Sequence, residues 1–237
     1  MTVFEQLRQI CPTISVGVLT ADLMRMGEEL SLLEGTGVEI LHFDIMDGSF
    51  TPMMTVGPPY VKGVKTRLLK DVHLMISEPL EKLDAYVAAG ADIIAVHLES
   101  CKHIHRVLQH LGSKENTNDP NRGIVRGVAL NPGTPLTALE PLLDELEMVT
   151  LVAINPGWGG QQLIPATLRR VKQLKQMFKE SRRDILVCLD GGVKKSNISE
   201  IGESGVDLVV TGSAVFDGKA PRENAESMLN AFRSEER

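Results

Sequence analysis

No apolar run in this chain approaches the roughly 18 residues that a membrane-spanning helix requires, so no membrane association is expected. Cysteine is scarce: Cys11, Cys101 and Cys188 are scattered and odd in number. That pattern argues against a disulfide framework and against the paired spacing of a zinc ribbon. Positive charge is also short, with 25 basic against 31 acidic residues and a formal net charge of −6 at pH 7. A general nucleic-acid binder would carry a basic surface, so no nucleic-acid partner is expected. A local phosphate site is compatible with this balance, because backbone amides bind anions without adding net charge. The opening MTVFEQLRQI lacks the charged-then-apolar form of a secretory signal, and a cytoplasmic location is expected.

What is present is an ordinary globular composition, 43% hydrophobic and 24% charged over 237 residues. A chain of that size buries about 70% of its unfolded surface and needs no structural metal to fold. One stretch stands apart, Leu41-His42-Phe43-Asp44-Ile45-Met46-Asp47-Gly48. Side chains alternate across a strand, so Leu41, Phe43 and Ile45 share one face while His42, Asp44 and Met46 share the other. An apolar outer face and a polar inner face ending in an Asp-Gly turn are unusual for a buried strand.

Strands are predicted near 14–19, 39–46, 70–76, 92–98, 124–130, 148–154, 184–190 and 207–212. Residues 2–10 read as an amphipathic helix stopped by Pro12. A second helix is predicted from Thr20 or Asp22 to about Glu34, and others over Pro79–Ala88, Leu136–Leu146 and Pro165–Glu180. Three junctions repeat one pattern: Gly37-Val38-Glu39, Gly90-Ala91-Asp92 and Gly205-Val206-Asp207 each place a glycine, a small apolar residue and an acid before a strand. Glycine there suits the left-handed turn that ends a helix. Several strands are apolar on both faces, as buried parallel strands are. Eight such units predict an α/β fold, a single (β/α)8 TIM barrel spanning 1–237; a doubly wound open sheet is the competing arrangement. The polar segment 113–123 is expected to be a surface excursion at the face away from the site.

Barrel chemistry sits at the C-terminal ends of strands. His42 and Asp44 on strand two, His73 on strand three and Asp190 on strand seven meet that condition. Two imidazoles and two carboxylates make a plausible shell for a divalent transition ion. The bland alternatives are a hydrogen-bonded core histidine, a turn aspartate, and methionine core filler at Met46 and Met75. His97 also ends a strand, so strand position alone does not choose ligands. His103, His105 and His110 fall on a helical pattern and are expected at the surface. A second constellation is glycine-rich: Gly157, Gly159 and Gly160 around Trp158 after strand six, Gly191 and Gly192 after strand seven, Gly212 and Ser213 after strand eight. Loops after strands seven and eight hold phosphate in many barrels; the alternative is that these glycines serve only as turns.

With these residues in view, the chain resembles the ribulose-phosphate 3-epimerase family over nearly its whole length. The matching segments are LTAD (19–22), HFDIMDGSFTPMMTVGP (42–58), DVHLMI (71–76), VHLE (96–99), NPGTP (131–135), INPGWGGQ (154–161), LDGGV (189–193) and TGSAVF (211–216). The resemblance implies a barrel of the ribulose-phosphate-binding type and a sugar-phosphate substrate. It also implies a divalent metal and a homo-oligomer; zinc, iron, manganese and cobalt all tolerate a site of two histidines and two carboxylates. By motif position, His42, Asp44, His73 and Asp190 would be the metal ligands, with Asp44 and Asp190 also the acid/base pair. His73, Gly157, Trp158, Gly159, Gly160, Gly191, Gly192, Gly212 and Ser213 would face the substrate, chiefly its phosphate. Met46 and Met75 would form an apolar wall, and the Trp158 loop could close over the site.

Two positions depart from the family pattern. Val16-Gly17 stands where the family has Pro-Ser, and Val152 stands where it has Met. The lost hydroxyl opens the choice of sugar: ribulose 5-phosphate and xylulose 5-phosphate lead, with a six-carbon ketose phosphate such as allulose 6-phosphate, or a non-catalytic sugar-phosphate-binding barrel, as alternatives. A related decarboxylating barrel would need a lysine where Met46 stands, which counts against that chemistry.

Overall fold

The computed structural model describes residues 1–233; the last four residues of the expected 1–237 domain lie outside the described residues. Eight parallel strands close into a barrel in chain order: β1 (Thr13–Gly17), β2 (Ile40–Met46), β3 (Leu69–Met75), β4 (Ile93–His97), β5 (Val125–Leu130), β6 (Met148–Val152), β7 (Leu186–Asp190) and β8 (Leu208–Thr211), with β8 pairing back to β1. The open doubly wound sheet is thereby excluded. Closure leaves no unpaired sheet edge.

The chain starts in α1 (Val3–Ile10), whose N-terminus is a capping box. The Thr2 hydroxyl accepts from the Glu5 amide at 3.1 Å, and the Glu5 carboxylate accepts from the Thr2 amide at 2.8 Å. Its Val3 and Leu7 are fully buried against Ile40, Leu69, Ile93, Val125, Met148, Leu186 and Leu208. These are the inward residues at the N-terminal ends of the strands, so α1 plugs the end of the barrel opposite the site. Outward residues such as Leu41, Phe43 and Ile45 pack instead under α2 (Met26–Ser31), α3 (Pro58–Gly63), α4 (Leu83–Ala88), α5 (Ile104–Gly112), α6 (Ala166–Ser181), α7 (Ile198–Gly202) and α8 (Pro221–Arg233).

The repeated glycine–acid junction has a physical reason. Gly37, Gly90 and Gly205 adopt φ of 86°, 87° and 81°, the left-handed turn that returns the chain to the sheet. In two of the three the acid that follows caps the start of the preceding strand: Asp92 accepts from the Lys70 amide at 2.9 Å, and Asp207 from the Val187 amide at 2.7 Å. Glu147, which lacks the glycine, does the same for the Arg126 amide at 2.9 Å.

Three expectations need correction. The segment Leu136–Leu142 is a 3-10 helix that ends before Leu146, because Pro141 inside it has no amide to donate and crowds the preceding turn. The helix expected over residues 20–34 is broken: Asp22 caps a 3-10 turn, Leu23–Arg25, and only α2 is regular. The 113–123 segment lies at the far end as expected, yet it is fastened there. Asn116 is fully buried and donates to Asp92 at 2.9 Å and to the Gly123 carbonyl at 3.0 Å.

Candidate active site

The parallel register places Asp44 beside His73 and Met46 beside Met75 on β2 and β3, while β7 ends at Asp190. One ligand atom from each of His42, Asp44, His73 and Asp190 falls within a sphere where all lie within 4.8 Å of one another. His42 Nε2 is 3.2 Å from Asp44 Oδ1 and 3.9 Å from Asp190 Oδ2. His73 Nδ1 is 3.3 Å from Asp44 Oδ1 and 3.1 Å from Asp190 Oδ2. The histidines are buried at the floor, and the carboxylates reach the cleft above.

Local chemistry holds the β2 end still. The Thr55 hydroxyl donates to the Asp44 carbonyl at 2.7 Å and accepts from the Met46 amide at 2.9 Å. Asp47 turns the chain by accepting from the Ser49 and Phe50 amides, each at 2.9 Å, and ties β2 to β3 through the Ser77 amide at 2.8 Å. Those backbone donors hold the Asp47 carboxyl below its ordinary value against the opposing effect of partial burial.

The electrostatics of the cluster follow from proximity. Burial alone would make His42 less basic, but the Asp71 and Asp44 carboxylates outweigh it and raise the imidazole well above its ordinary value. Burial likewise opposes His73, whose pKa the neighbouring Asp190 and Asp44 push up to about 9. Burial would raise the Asp44 carboxyl; the two histidines overcome that and hold it far below the usual carboxylate range.

Does this donor set fit a metal ion? His73 Nδ1 is completely buried and makes no aligned hydrogen bond, although two carboxylate oxygens lie within 3.3 Å. A buried nitrogen aimed between two carboxylates, with a second imidazole converging on the same point, is the arrangement a divalent cation completes. The four residues therefore fit such an ion.

Asp71 was not picked out by strand patterning. Its Oδ2 accepts from His42 Nδ1 at 2.7 Å and from the Ser15 hydroxyl at 3.0 Å. A metal-binding histidine commonly has its second nitrogen held by a carboxylate in this way. Ser15 is thus committed to Asp71 and does not replace a hydroxyl at Gly17. The signal available in the sequence was weak: Asp71 precedes His73 by two residues and so shares its inward face.

The glycine-rich loops form the upper part of the site. A cleft of about 170 Å³ is lined by Gly17, Asp44 and Asp190 together with Gly191, Gly192, Gly212 and Ser213. Gly191 and Gly192 have φ of 101° and 72°, and a side chain at either would strike Ile154 or the Leu163 backbone at 2.5 Å. Gly159 and Gly160 also line the cleft. Gly157 and Trp158 do not. Gly157 packs on Pro52 and Thr51, and Trp158 stands half-exposed on the rim, its carbonyl accepting from Gln161 at 3.0 Å. Met75 is buried and Met46 half-buried, one step beyond His73 and Asp44 on the same inward face. His103 and His105 are exposed, and His110 pairs with Asp84 at 2.7 Å, away from the cluster.

The model of the ribulose-phosphate 3-epimerase family matches residues 13–216, which span every strand and every residue of this cluster. The chain belongs to that family. Among relatives, it is 41% identical to the ribulose-phosphate 3-epimerase of Bacillus subtilis strain 168 over 219 residues, covering 91% of this chain and 97% of the relative. It is 37% identical to the enzyme of the same name from Escherichia coli K12 over 226 residues, covering 94% and 95%. Solved structures add the fold. KGPDC from Streptococcus mutans superimposes with a TM-score of 0.67 at 12% identity, over 94% of this chain and 98% of its own. The 3-hexulose-6-phosphate synthase of Salmonella typhimurium does so at 0.62 and 16%, over 94% and 99%.

Proposed function

We propose that this chain is a metal-dependent ketose-phosphate 3-epimerase, with ribulose 5-phosphate and xylulose 5-phosphate as its leading pair. The observation that carries the reading is the convergence of two carboxylates, Asp44 from β2 and Asp190 from β7, on one cleft above His42 and His73. Inverting a carbon beside a ketone requires removal of its proton on one face and delivery of a proton on the other. Two carboxylates borne by separate strands can do this, one as base and one as acid, exchanging roles in the reverse direction. Asp44, held ionised by its histidines, begins as the base and Asp190 as the acid for one direction.

The intermediate is an enediolate. His42, Asp44, His73 and Asp190 would hold a divalent ion, which would supply Lewis-acid polarisation of the substrate oxygens. Zinc, iron, manganese and cobalt all suit two imidazoles and two carboxylates. Met46 and Met75 supply an apolar wall that limits hydration of the cluster, which strengthens its electrostatics. Backbone amides at Gly191, Gly192, Gly212 and Ser213 receive the phosphate, and the Trp158 loop closes over the bound sugar.

Gly17 favours a second substrate reading. A side chain built there would rest in ordinary contact with Gly212 Cα at 3.5 Å, so a serine would fit, and its absence leaves the cleft wider by that side chain. A six-carbon ketose phosphate such as allulose 6-phosphate would be the substrate to gain from that added width. A panel of ketose phosphates, run beside metal analysis of the purified protein, tests the reading. Turnover of the five-carbon pair that tracks metal content supports it; no turnover of any ketose phosphate by metal-loaded protein overturns it. A homo-oligomer and a cytoplasmic location complete the proposal. No described helix is long and apolar enough to cross a membrane.

A further inference from the structure

Behind His73 lies a second line of polar groups that the proposed reaction does not use. His73 Nε2 is 2.9 Å from His97 Nε2, and the two rings stack at 5.0 Å and 18°. His97 Nδ1 is 3.1 Å from Glu99 Oε2. Both histidines are completely buried. Phe50 covers the His97 ring with centroids 4.7 Å apart, so the contact is sheltered from water.

The donors and acceptors along this line can be assigned by elimination. A carboxylate accepts only, so His97 Nδ1 carries the proton that faces Glu99. A neutral His97 then has a bare Nε2, which must accept. His73 Nε2 is therefore the donor, and the opposite nitrogen, Nδ1, faces Asp44 and Asp190, where a bound cation would replace the proton those carboxylates favour and would meet the Nδ1 lone pair. Burial, outweighed by the partners around Glu99, leaves its carboxyl at about 2, consistent with an acceptor that stays ionised.

Glu99 is itself pinned. Its Oε1 accepts from the Asn131 amide at 2.8 Å and from the Thr134 hydroxyl. Arg170 of α6 holds that same loop by donating to the Thr134 carbonyl at 2.6 Å, to the Asn131 carbonyl at 3.3 Å and to the Pro132 carbonyl.

We propose that His97 and Glu99 are positioning residues that fix the tautomer and orientation of His73, so that its Nδ1 is presented to the metal. His42 has a carboxylate, Asp71, directly behind it; His73 has the same support at one remove, relayed through His97. The inference rests on the metal-site reading, and it gives the VHLE and NPGTP segments a common purpose. Arg170, Asn131 and Thr134 keep the far end of the relay from rotating away.

The test is Co²⁺ binding to metal-stripped protein, followed by visible absorption against a competing chelator, in wild type, His97→Phe, His97→Gln and Glu99→Gln. Phenylalanine keeps the stacked ring but cannot accept from His73. Loss of such a partner weakens metal binding by about 10- to 100-fold. That loss is expected for His97→Phe while the melting temperature of the stripped protein stays near wild type. Glutamine at 97, which can both accept and donate, should recover most of the affinity. Should His97→Phe fail to fold, Glu99→Gln, further from the cluster, decides the matter by a smaller loss of the same sign. Long-range ¹H–¹⁵N spectra of the metal-bound wild type should show His73 protonated at Nε2. Wild-type Co²⁺ affinity in the variants, or a proton on His73 Nδ1, overturns the relay and leaves the metal reading standing. Absence of Co²⁺ binding by the wild type overturns both.

Discussion

In the proposed mechanism Asp190 is one of the two proton-transfer groups, and its side chain is not part of the packed core. Its side chain is 14% exposed at the end of β7, and its oxygen approaches both histidines without being locked to either. Replacing it with asparagine keeps the volume and removes the proton-transfer group. General acid–base contributions run to about 10²–10⁴-fold, so kcat for Asp190→Asn should fall by at least that range. Inorganic phosphate, competing in the glycine loops, should bind as before. Turnover within about tenfold of wild type would remove Asp190 from the role assigned to it. At the same scale, the sequence disclosed the four converging residues but not their supports. Alternation and strand ends made His42, Asp44, His73 and Asp190 candidates, and the family resemblance set them apart from His97. Asp71, Ser15, His97 and Glu99 are not legible as supports, because their partners lie on other strands and depend on the register of the closed barrel.

At the scale of elements, side chains that precede or follow the strands fasten several strand ends. The N-terminal ends are capped by Asp92, Glu147 and Asp207, and the C-terminal end of β2 is clamped by Thr55. Asn116 makes the clearest case, since it serves Asp92, the Gly123 carbonyl and the Asn118 amide together from a fully buried position. Asn116→Ala leaves those groups without partners, a cost of about 1–3 kcal/mol. In a chain of this length each kcal/mol lowers the melting temperature by roughly 2–4 °C. The melt should shift accordingly, with kcat/KM at 25 °C unchanged because the site is at the other end. An unshifted melt would contradict the anchoring role. Element types were readable where one period held, as in α6. They were misread where a single residue overrode the pattern, as Pro141 does between β5 and β6.

Over the whole molecule, the three cysteines act as packing and not as chemistry. Burial pushes the Cys11 thiol up to about 12 and Cys101 to about 11, and it raises Cys188, inside the barrel, well above its ordinary value. A raised thiol pKa means that the reactive thiolate is scarce at neutral pH and gains about tenfold per pH unit. Native protein should therefore resist iodoacetamide at pH 8, with all three sites alkylated once denatured, as read by intact mass. Rapid labelling of the native protein would show that one of these sites is open. The barrel thus separates its tasks: α1 and the junction acids secure one end, the apolar shell secures the flanks, and the other end is free for chemistry.

The central claim is that Asp44 and Asp190 pass protons to and from the carbon beside the ketone. Incubating metal-loaded protein with ribulose 5-phosphate in D₂O and following the substrate by NMR tests this directly. The account predicts one deuterium at C3 of both epimers, lost from the spectrum when the metal is removed and when Asp190 is replaced by asparagine. Interconversion with no solvent deuterium at C3, or no exchange of that position by metal-loaded wild type, would contradict it.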